Sequence, residues 1–279
     1  MRKSKGETRS WDQIREHYEI ERSLASQLRN SSKEERRTLY SRVYDELYRR
    51  VPHHPRNTER DSPDKSTTRV AREYALLRRF LLPTSIFLEI GPGDCAVALE
   101  VAKHVAFVYA VDVSEYITKG IVFPVNFQLV MSDGSSIPVP AGSVHLAYSN
   151  QVMEHLHPDD ALEQLRNVFQ GLAPGGRYIC VTPNRLCGPM DISRYFDSVP
   201  TGFHLKEYSI GELRRLFQAA GFRSVRQYAA LRGVQVEVPT FPYLALEALL
   251  NPLPFELRRR IAALRVVRRL LNVRIVGLK

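Results

Sequence analysis

From residue 85 onward, short apolar runs alternate with longer stretches in which apolar residues recur every three or four positions. The runs predict strands over 86–90, 108–113, 127–131, 144–149, 177–182 and 224–229, with helices near 94–104, 158–170 and 209–220. Gly221 lies where a helix end favours glycine. Such alternation implies a parallel sheet covered by helices on both faces. Ahead of it, Ser10 with Gln13 and Ser32 with Glu35 have capping-box spacing, so residues 10–50 read as helices. Leu39, Tyr40, Val43, Tyr44, Leu47 and Tyr48 form a stripe along the second of them. Three prolines and two adjacent histidines within 51–65 mark a linker or ordered loop, and a helix over 67–82 stops at Pro83. Residues 241–271 read as helical and arginine-rich, with Leu257, Ile261, Leu264 and Leu271 on one face, before a closing strand at 273–279. The organisation expected is a helical extension and linker over 1–65, then an α/β domain over 66–279 with a helical insertion at 234–272.

Composition narrows the class. A chain of 279 residues with 44% hydrophobic and 25% charged residues is ordinary for a soluble globular protein. No apolar run reaches the ~18 residues of a membrane span, and the basic N-terminus is not followed by the apolar segment of a secretory signal. Cys95, Cys180 and Cys187 are odd in number and lack paired spacing, which fits reduced thiols and a cytoplasmic location. The net charge of +10 comes mainly from arginine, since only eight of the 40 basic residues are lysine. Those arginines are mostly scattered, so a generally basic surface is expected, with no nucleic-acid partner. The arginine-rich tail is the exception, and it could contact an anionic membrane or a lipid-like substrate.

One constellation carries chemistry. The apolar run at 86–90 feeds Gly91-Pro92-Gly93, and Asp112 ends the next strand, 21 positions after Gly91. Glycines let the backbone turn sharply and approach a ligand, and an acid at the neighbouring strand tip can accept two ribose hydroxyl hydrogen bonds. In open sheets of this kind ligands sit beyond the carboxyl ends of the strands, where Gly91, Asp112, Asp133 and Asn150 all fall.

In its ordered set of motifs the chain resembles the class I S-adenosylmethionine-dependent methyltransferases, closest to the type 11 group that includes ubiquinone-pathway enzymes. The motifs are Glu89-Ile90-Gly91-Pro92-Gly93, Asp112, Ser132-Asp133-Gly134, Ser149-Asn150-Gln151-Val152-Met153-Glu154-His155-Leu156, Leu172-Ala173-Pro174-Gly175-Gly176 and the run from His204 to Phe222. The resemblance covers about residues 70–230 and the final strand, and leaves out the N-terminal 65 residues. It implies a Rossmann-like sheet of about seven strands with an antiparallel last strand. It also implies S-adenosylmethionine bound by Glu89, Gly91, Gly93, Asp112, Val113, Asp133, Gly134 and Asn150. Glu89 would organise the glycine turn, and Asp133 would accept from the adenine amino group. Cys95 departs from relatives that carry a third glycine.

The acceptor side is less determined. His155 and His204 are candidate general bases, because histidine titrates near neutral pH. Structural hydrogen bonding is the competing role for both. Tyr18, Tyr40, Tyr44 and Tyr48 either roof the pocket or pack on the domain. The expected reaction is methyl transfer to a small molecule, with oxygen preferred over nitrogen or carbon. A nicotinamide dehydrogenase is the first rival, since Gly91-x-Gly93-x-x-Ala96 fits a loose dinucleotide fingerprint. A nucleic-acid methyltransferase is disfavoured, because Ser149-Asn150-Gln151-Val152 stands where an Asn/Asp-Pro-Pro-aromatic turn is expected. A non-catalytic cofactor-binding protein is the third. No metal is expected, since Asp159, Asp160 and Asn184 form no tight group in the sequence.

Overall fold

The structure is a computed structural model, which describes residues 3, 6–55, 57, 63–231 and 234–279. Its centre is one sheet built from β1 (Ile86–Ile90), β2 (Phe107–Asp112), β3 (Phe127–Met131), β4 (Val144–Asn150), β5 (Leu172–Thr182), β6 (Ser224–Leu231), β7 (Val234–Val238) and β8 (Val273–Leu278). The spatial order is β3-β2-β1-β4-β5-β8-β6-β7. The first five positions pair in parallel, and β8 inserts antiparallel between β5 and β6. An α/β sheet with an antiparallel closing strand is therefore present, with eight strands where about seven were expected.

The additional strand is β7, which forms an antiparallel hairpin with β6. It occupies the start of the segment expected to be a helical insertion. Val234-Gln235-Val236-Glu237-Val238 alternates with period two and carries β-branched residues, a pattern that suits a strand. The insertion proper holds α7 (Phe241–Leu250), α8 (Phe255–Ala263) and α9 (Arg265–Leu270). The single apolar face expected over 257–271 does not survive. Leu264 takes an extended backbone between α8 and α9, which resets the helical phase and leaves Leu257 and Leu264 exposed while Leu271 is buried.

Helices cover both faces of the sheet. On one side α3 (Pro63–Leu77) and α4 (Ala96–Ala102) pack with Phe87, Val108, Ala110, Leu146, Tyr148 and Ile179. On the other, α5 (Pro158–Gly171) and α6 (Ile210–Ala220) pack with Leu88, Ile90, Val111, Ala147, Tyr178 and Cys180. The interleaved numbers reflect the two-residue side-chain period of strands. Central strands are buried on both sides, which is why they read as continuous apolar runs.

The N-terminal helices α1 (Trp11–Asn30) and α2 (Lys33–Arg50) both start at the expected capping boxes, Ser10 with Gln13 and Ser32 with Glu35. They are fused to the sheet domain: Leu24, Leu28, Leu39, Tyr40, Val43 and Leu47 belong to the same core as α5 and α6. The expected linker at 51–65 lies partly outside the described residues, and α3 begins at Pro63.

Candidate active site

A cavity of ≈ 290 Å³ opens at the carboxyl ends of β1, β2 and β4. Ile90, Gly91 and Gly93 line it after β1, Asp112, Val113 and Ser114 at the end of β2, and Ser132 and Gly134 after β3. Gly91 has φ +64° and Gly93 +58°, left-handed conformations that turn the chain under the cavity. A Cβ on Gly91 would stand 2.5 Å from Val152 Cγ2, so the glycine also lets the β1 and β4 tips close on each other.

Asp112 organises its own surroundings. One carboxylate oxygen accepts from the amides of Val113 (2.7 Å) and Ser114 (3.3 Å), and the other accepts from the Gly93 amide (3.3 Å). The acid thus links the two strand-end turns while it lines the cavity. Ser114 Oγ donates to Asp45 on α2 at 2.5 Å, so the N-terminal extension holds the far side of that turn.

Three residues expected at the cofactor are not among the cavity's wall residues. Glu89 is buried on the α3 side of β1, and the cavity walls do not include it. Burial, with the charges of Glu73 and Asp94, holds its carboxyl well above the usual range. Its Oε2 has no hydrogen-bond partner among the described residues. Asp133 closes the turn after β3: its Oδ1 accepts from the amides of Ser135 (3.0 Å) and Ser136 (2.7 Å). Burial opposes its charge, but these amide bonds outweigh it and lower the pKa. Ser132 and Gly134 face the cavity in its place. Asn150 is the last residue of β4, and the next two, Gln151 and Val152, form the wall. Gln151 holds φ +60°, an unusual conformation for a residue with a side chain. The sequence gives no sign of that backbone strain.

The remaining walls come from distant segments. His155 follows β4, Met190 and Asp191 follow β5, and Phe203 and His204 precede α6. Tyr40, Tyr44 and Tyr48 reach in from α2, and His17 and Glu21 from α1. Three of the four tyrosines therefore roof the cavity. Tyr18 instead packs with Ile14, Ile192 and Tyr195, and its hydroxyl donates to Asp197 (2.7 Å). Tyr44 packs at a tilt against Phe203 with centroids 4.8 Å apart, and Tyr40 presses on Gly134, where a Cβ would meet it at 2.5 Å. Arg29 on α1 donates to the carbonyls of Thr201 (2.8 Å), Gly202 (2.7 Å) and His204 (3.1 Å), fixing the loop that delivers Phe203 and His204.

The two candidate bases sit together, rings in edge contact at 5.0 Å. His155 Nδ1 is 3.1 Å from the Phe203 carbonyl, which must accept, so the neutral ring is protonated there. His204 is buried, with Nδ1 2.7 Å from Glu207 Oε1. Burial pushes its pKa down, but the Glu207 hydrogen bond and the charges of Glu154 and Asp191 outweigh it and raise it to about 9. A ring held protonated in this way is poorly suited to accept a proton at neutral pH. Glu154 lies behind both rings, fully buried, with Oε2 accepting from Thr182 Oγ1 (2.7 Å). The motif after β4 contains Glu154 without assigning it a role, and no local pattern marks the α1 pair His17 and Glu21.

Asp160 and Asn184 are engaged elsewhere, Asp160 by Arg36 and Tyr40 and Asn184 by Glu247. The arginine-rich tail exposes Arg259, Arg260, Arg265, Arg268 and Arg269 beside Leu257, Leu264, Val266 and Leu270. No helix among the described residues is long and apolar enough to cross a membrane.

A profile for the methyltransferase domain matches residues 64–227, more than half of the chain. A Mycolicibacterium smegmatis protein named a probable S-adenosylmethionine-dependent methyltransferase is 34% identical over 88 residues. That match spans 32% of this chain and 32% of the relative, so the chain covers about a third of the protein it resembles. Among solved structures, a chain in the complex between the Haloferax volcanii Trm112 methyltransferase activator and a methyltransferase superposes with a TM-score of 0.52. It is 15% identical and covers 78% of this chain and 94% of that one. A Haemonchus contortus phosphoethanolamine N-methyltransferase, solved with phosphomonomethylethanolamine and S-adenosylhomocysteine, gives 0.50 at 14% identity over 75% of this chain and 52% of that one. At these identities the likeness concerns the fold.

Proposed function

The chain belongs to the methyltransferase-domain family, and from that premise we propose that it transfers a methyl group from S-adenosylmethionine to a small-molecule acceptor, with oxygen as the preferred acceptor atom. The cofactor supplies an electrophilic methyl on a sulfonium; the protein binds, orients and excludes water. The observation that carries the reading is that Gly91, Gly93 and Asp112 line the same cavity as His155 and His204. Asp112 accepts the ribose hydroxyls, while Gly91 and Gly93 bring backbone against the amino-acid part. The donor chemistry of Ser132 and the Gly134 turn suits an adenine edge. Asp133 shapes that turn, and Glu89 stiffens the first turn from beneath.

The acceptor enters between Tyr44, Tyr48 and His155. With His204 held cationic by its carboxylates, His155 is the residue placed to take a hydroxyl proton. Its Nδ1–H is committed to Phe203, which leaves the lone pair on Nε2. N-terminal helices α1 and α2 supply the roof, so the acceptor's shape is read by residues outside the matched family segment.

The test is calorimetry with S-adenosylmethionine and with NAD, followed by a labelled-methyl assay on extract fractions. Binding of the sulfonium and label recovered as a methyl ether support the reading. Binding of NAD alone overturns it, and label on nitrogen or carbon overturns the choice of oxygen. His155→Gln is expected to lower turnover about 10²- to 10⁴-fold with cofactor affinity unchanged. Full activity in that variant removes the base.

The exposed leucines and arginines of α8 and α9 suit an anionic lipid surface, which attracts arginine and accepts apolar side chains. Flotation with anionic vesicles, lost on adding salt or on replacing Arg265, Arg268 and Arg269, is the expected result. Equal flotation with neutral vesicles would contradict it.

A further inference from the structure

Resting on the methyltransferase reading, we infer that Tyr44 and Gln151 hold the methyl acceptor, and that this acceptor is an uncharged hydroxyl compound with a flat apolar body. Several polar side chains of the cavity wall are spent inside the protein. Tyr40 donates to Asp160 (2.9 Å) and accepts from the His157 amide (2.8 Å). Ser114 donates to Asp45, and Ser132 to the Ser136 carbonyl (2.7 Å). Tyr44 and Gln151 differ. Both are half-buried wall residues, and neither the Tyr44 hydroxyl nor the Gln151 side-chain amide makes a hydrogen bond among the described residues. A polar group shielded from bulk water is costly until a partner meets it.

Both side chains sit where an acceptor must lie. The Tyr44 ring packs between Phe203 (4.8 Å) and Tyr48 (6.3 Å), with the His155 ring edge-on at 6.0 Å. Burial pushes its hydroxyl pKa up, so it stays protonated and donates. Gln151 follows β4 with φ +60°, and its backbone N–H donates to the Val181 carbonyl (2.8 Å). Val152, the next residue, stands against Gly91, so Gln151 lies beside the turn proposed to receive the amino-acid part of the cofactor. A left-handed backbone suits glycine or asparagine better. What glutamine adds there is a longer side chain with a donor and an acceptor at its end.

Charges in the wall are matched within the protein. Hydrogen bonds from Arg9 (2.8 and 2.7 Å), with the charges of Arg9 and Arg194, bring the Glu7 pKa down to about 2. Glu21 accepts from His17 Nε2 (2.7 Å) and the Phe203 amide (2.8 Å), and Asp191 from the amides of Ser193 (3.1 Å) and His204 (3.4 Å). His204 faces Glu207 at 2.7 Å. A charged acceptor would have to compete with these pairs for a counter-charge, which is costly in a shielded site. Tyr48, Phe203, Leu47, Ile192 and Met190 add flat rings and deformable chains that suit a planar apolar body.

The experiment uses full-length protein saturated with S-adenosylhomocysteine and follows binding of p-cresol, p-hydroxybenzoate and tyramine by ligand-observed NMR. Uncharged p-cresol is expected to bind at millimolar concentration, and the two charged phenols at least about 10-fold more weakly. Tyr44→Phe and Gln151→Gly should each weaken p-cresol about 2- to 10-fold, the worth of one neutral hydrogen bond, with S-adenosylhomocysteine affinity unchanged. Because Gln151→Gly also relieves the backbone, its urea midpoint should not fall, whereas loss of a purely structural glutamine would lower it. Equal or tighter binding of either charged phenol overturns the uncharged class. So does wild-type protein that binds S-adenosylhomocysteine but none of the three phenols. Unchanged p-cresol affinity in either variant overturns that residue's role, as does a fall in S-adenosylhomocysteine affinity on Gln151→Gly. Failure of the wild type to bind S-adenosylhomocysteine would instead sink the methyltransferase reading.

Discussion

Arg36 on α2 grips Asp160 on α5 through two hydrogen bonds, Nε to Oδ2 at 2.7 Å and Nη2 to Oδ1 at 2.8 Å. Both residues are buried, and Tyr40 adds a third bond to the same carboxylate at 2.9 Å. The contact joins the N-terminal helices to the sheet domain across 124 positions of sequence. Replacing Arg36 with Met leaves Asp160 buried without its charge partner, which costs about 3–5 kcal/mol. A lowered urea midpoint with a weaker cofactor affinity is expected; an unchanged midpoint would show that the helices dock without this pair.

Asp112→Ala removes the carboxylate proposed to hold the ribose, together with the caps on Gly93, Val113 and Ser114. Such bonds are worth about 1.5–3 kcal/mol, a loss of roughly 10- to 150-fold in S-adenosylmethionine affinity. Calorimetry checks this, and unchanged binding removes Asp112 from the site.

Gly134 has φ +96°, and a Cβ there meets Tyr40 Cδ2 at 2.5 Å. Gly134→Ala should therefore destabilise by about 1–3 kcal/mol through backbone strain and overpacking. Adding Tyr40→Ala should make the double variant less costly than the sum of the singles, because the clash is shared. Strict additivity in denaturant titrations would mean that backbone strain alone sets the cost.

His204 gives the folded protein a pH signature. Its folded pKa of about 9 lies above the ordinary value of 6.5, so it binds a proton more tightly when folded. That stabilisation is complete below about pH 6.5 and is lost as pH rises through 9. Chemical denaturation across this window should show falling stability. His204→Asn should be less stable at pH 6 but flatter from pH 7 to 9. A wild-type profile that stays flat would contradict the cationic assignment.

The sheet was legible because its signal is local. β1 and β3 follow directly from their apolar runs, and the capping boxes at Ser10 and Ser32 place α1 and α2 to within a residue. The exception is β7, whose alternation is readable but was absorbed into the insertion that follows it. Of the residues expected at the cofactor, Gly91, Gly93, Asp112, Val113 and Gly134 line the cavity. Glu89, Asp133 and Asn150 are not among its wall residues, because sequence position fixes a strand tip but not which of its neighbours faces the cavity.

By itself, the sequence determined the order of strands and helices, the glycine-hinged turn after β1 and the acid one strand over. Periodicity, caps and turn residues act over a few positions, so they need no knowledge of the rest of the chain. Tertiary structure alone decided what stands around that turn. Arg29 reaching the 201–204 loop, Tyr40 covering Gly134 and Glu154 beside His204 join segments 50 to more than 170 positions apart. Such contacts are chosen by how two whole faces pack, and no local pattern encodes that choice.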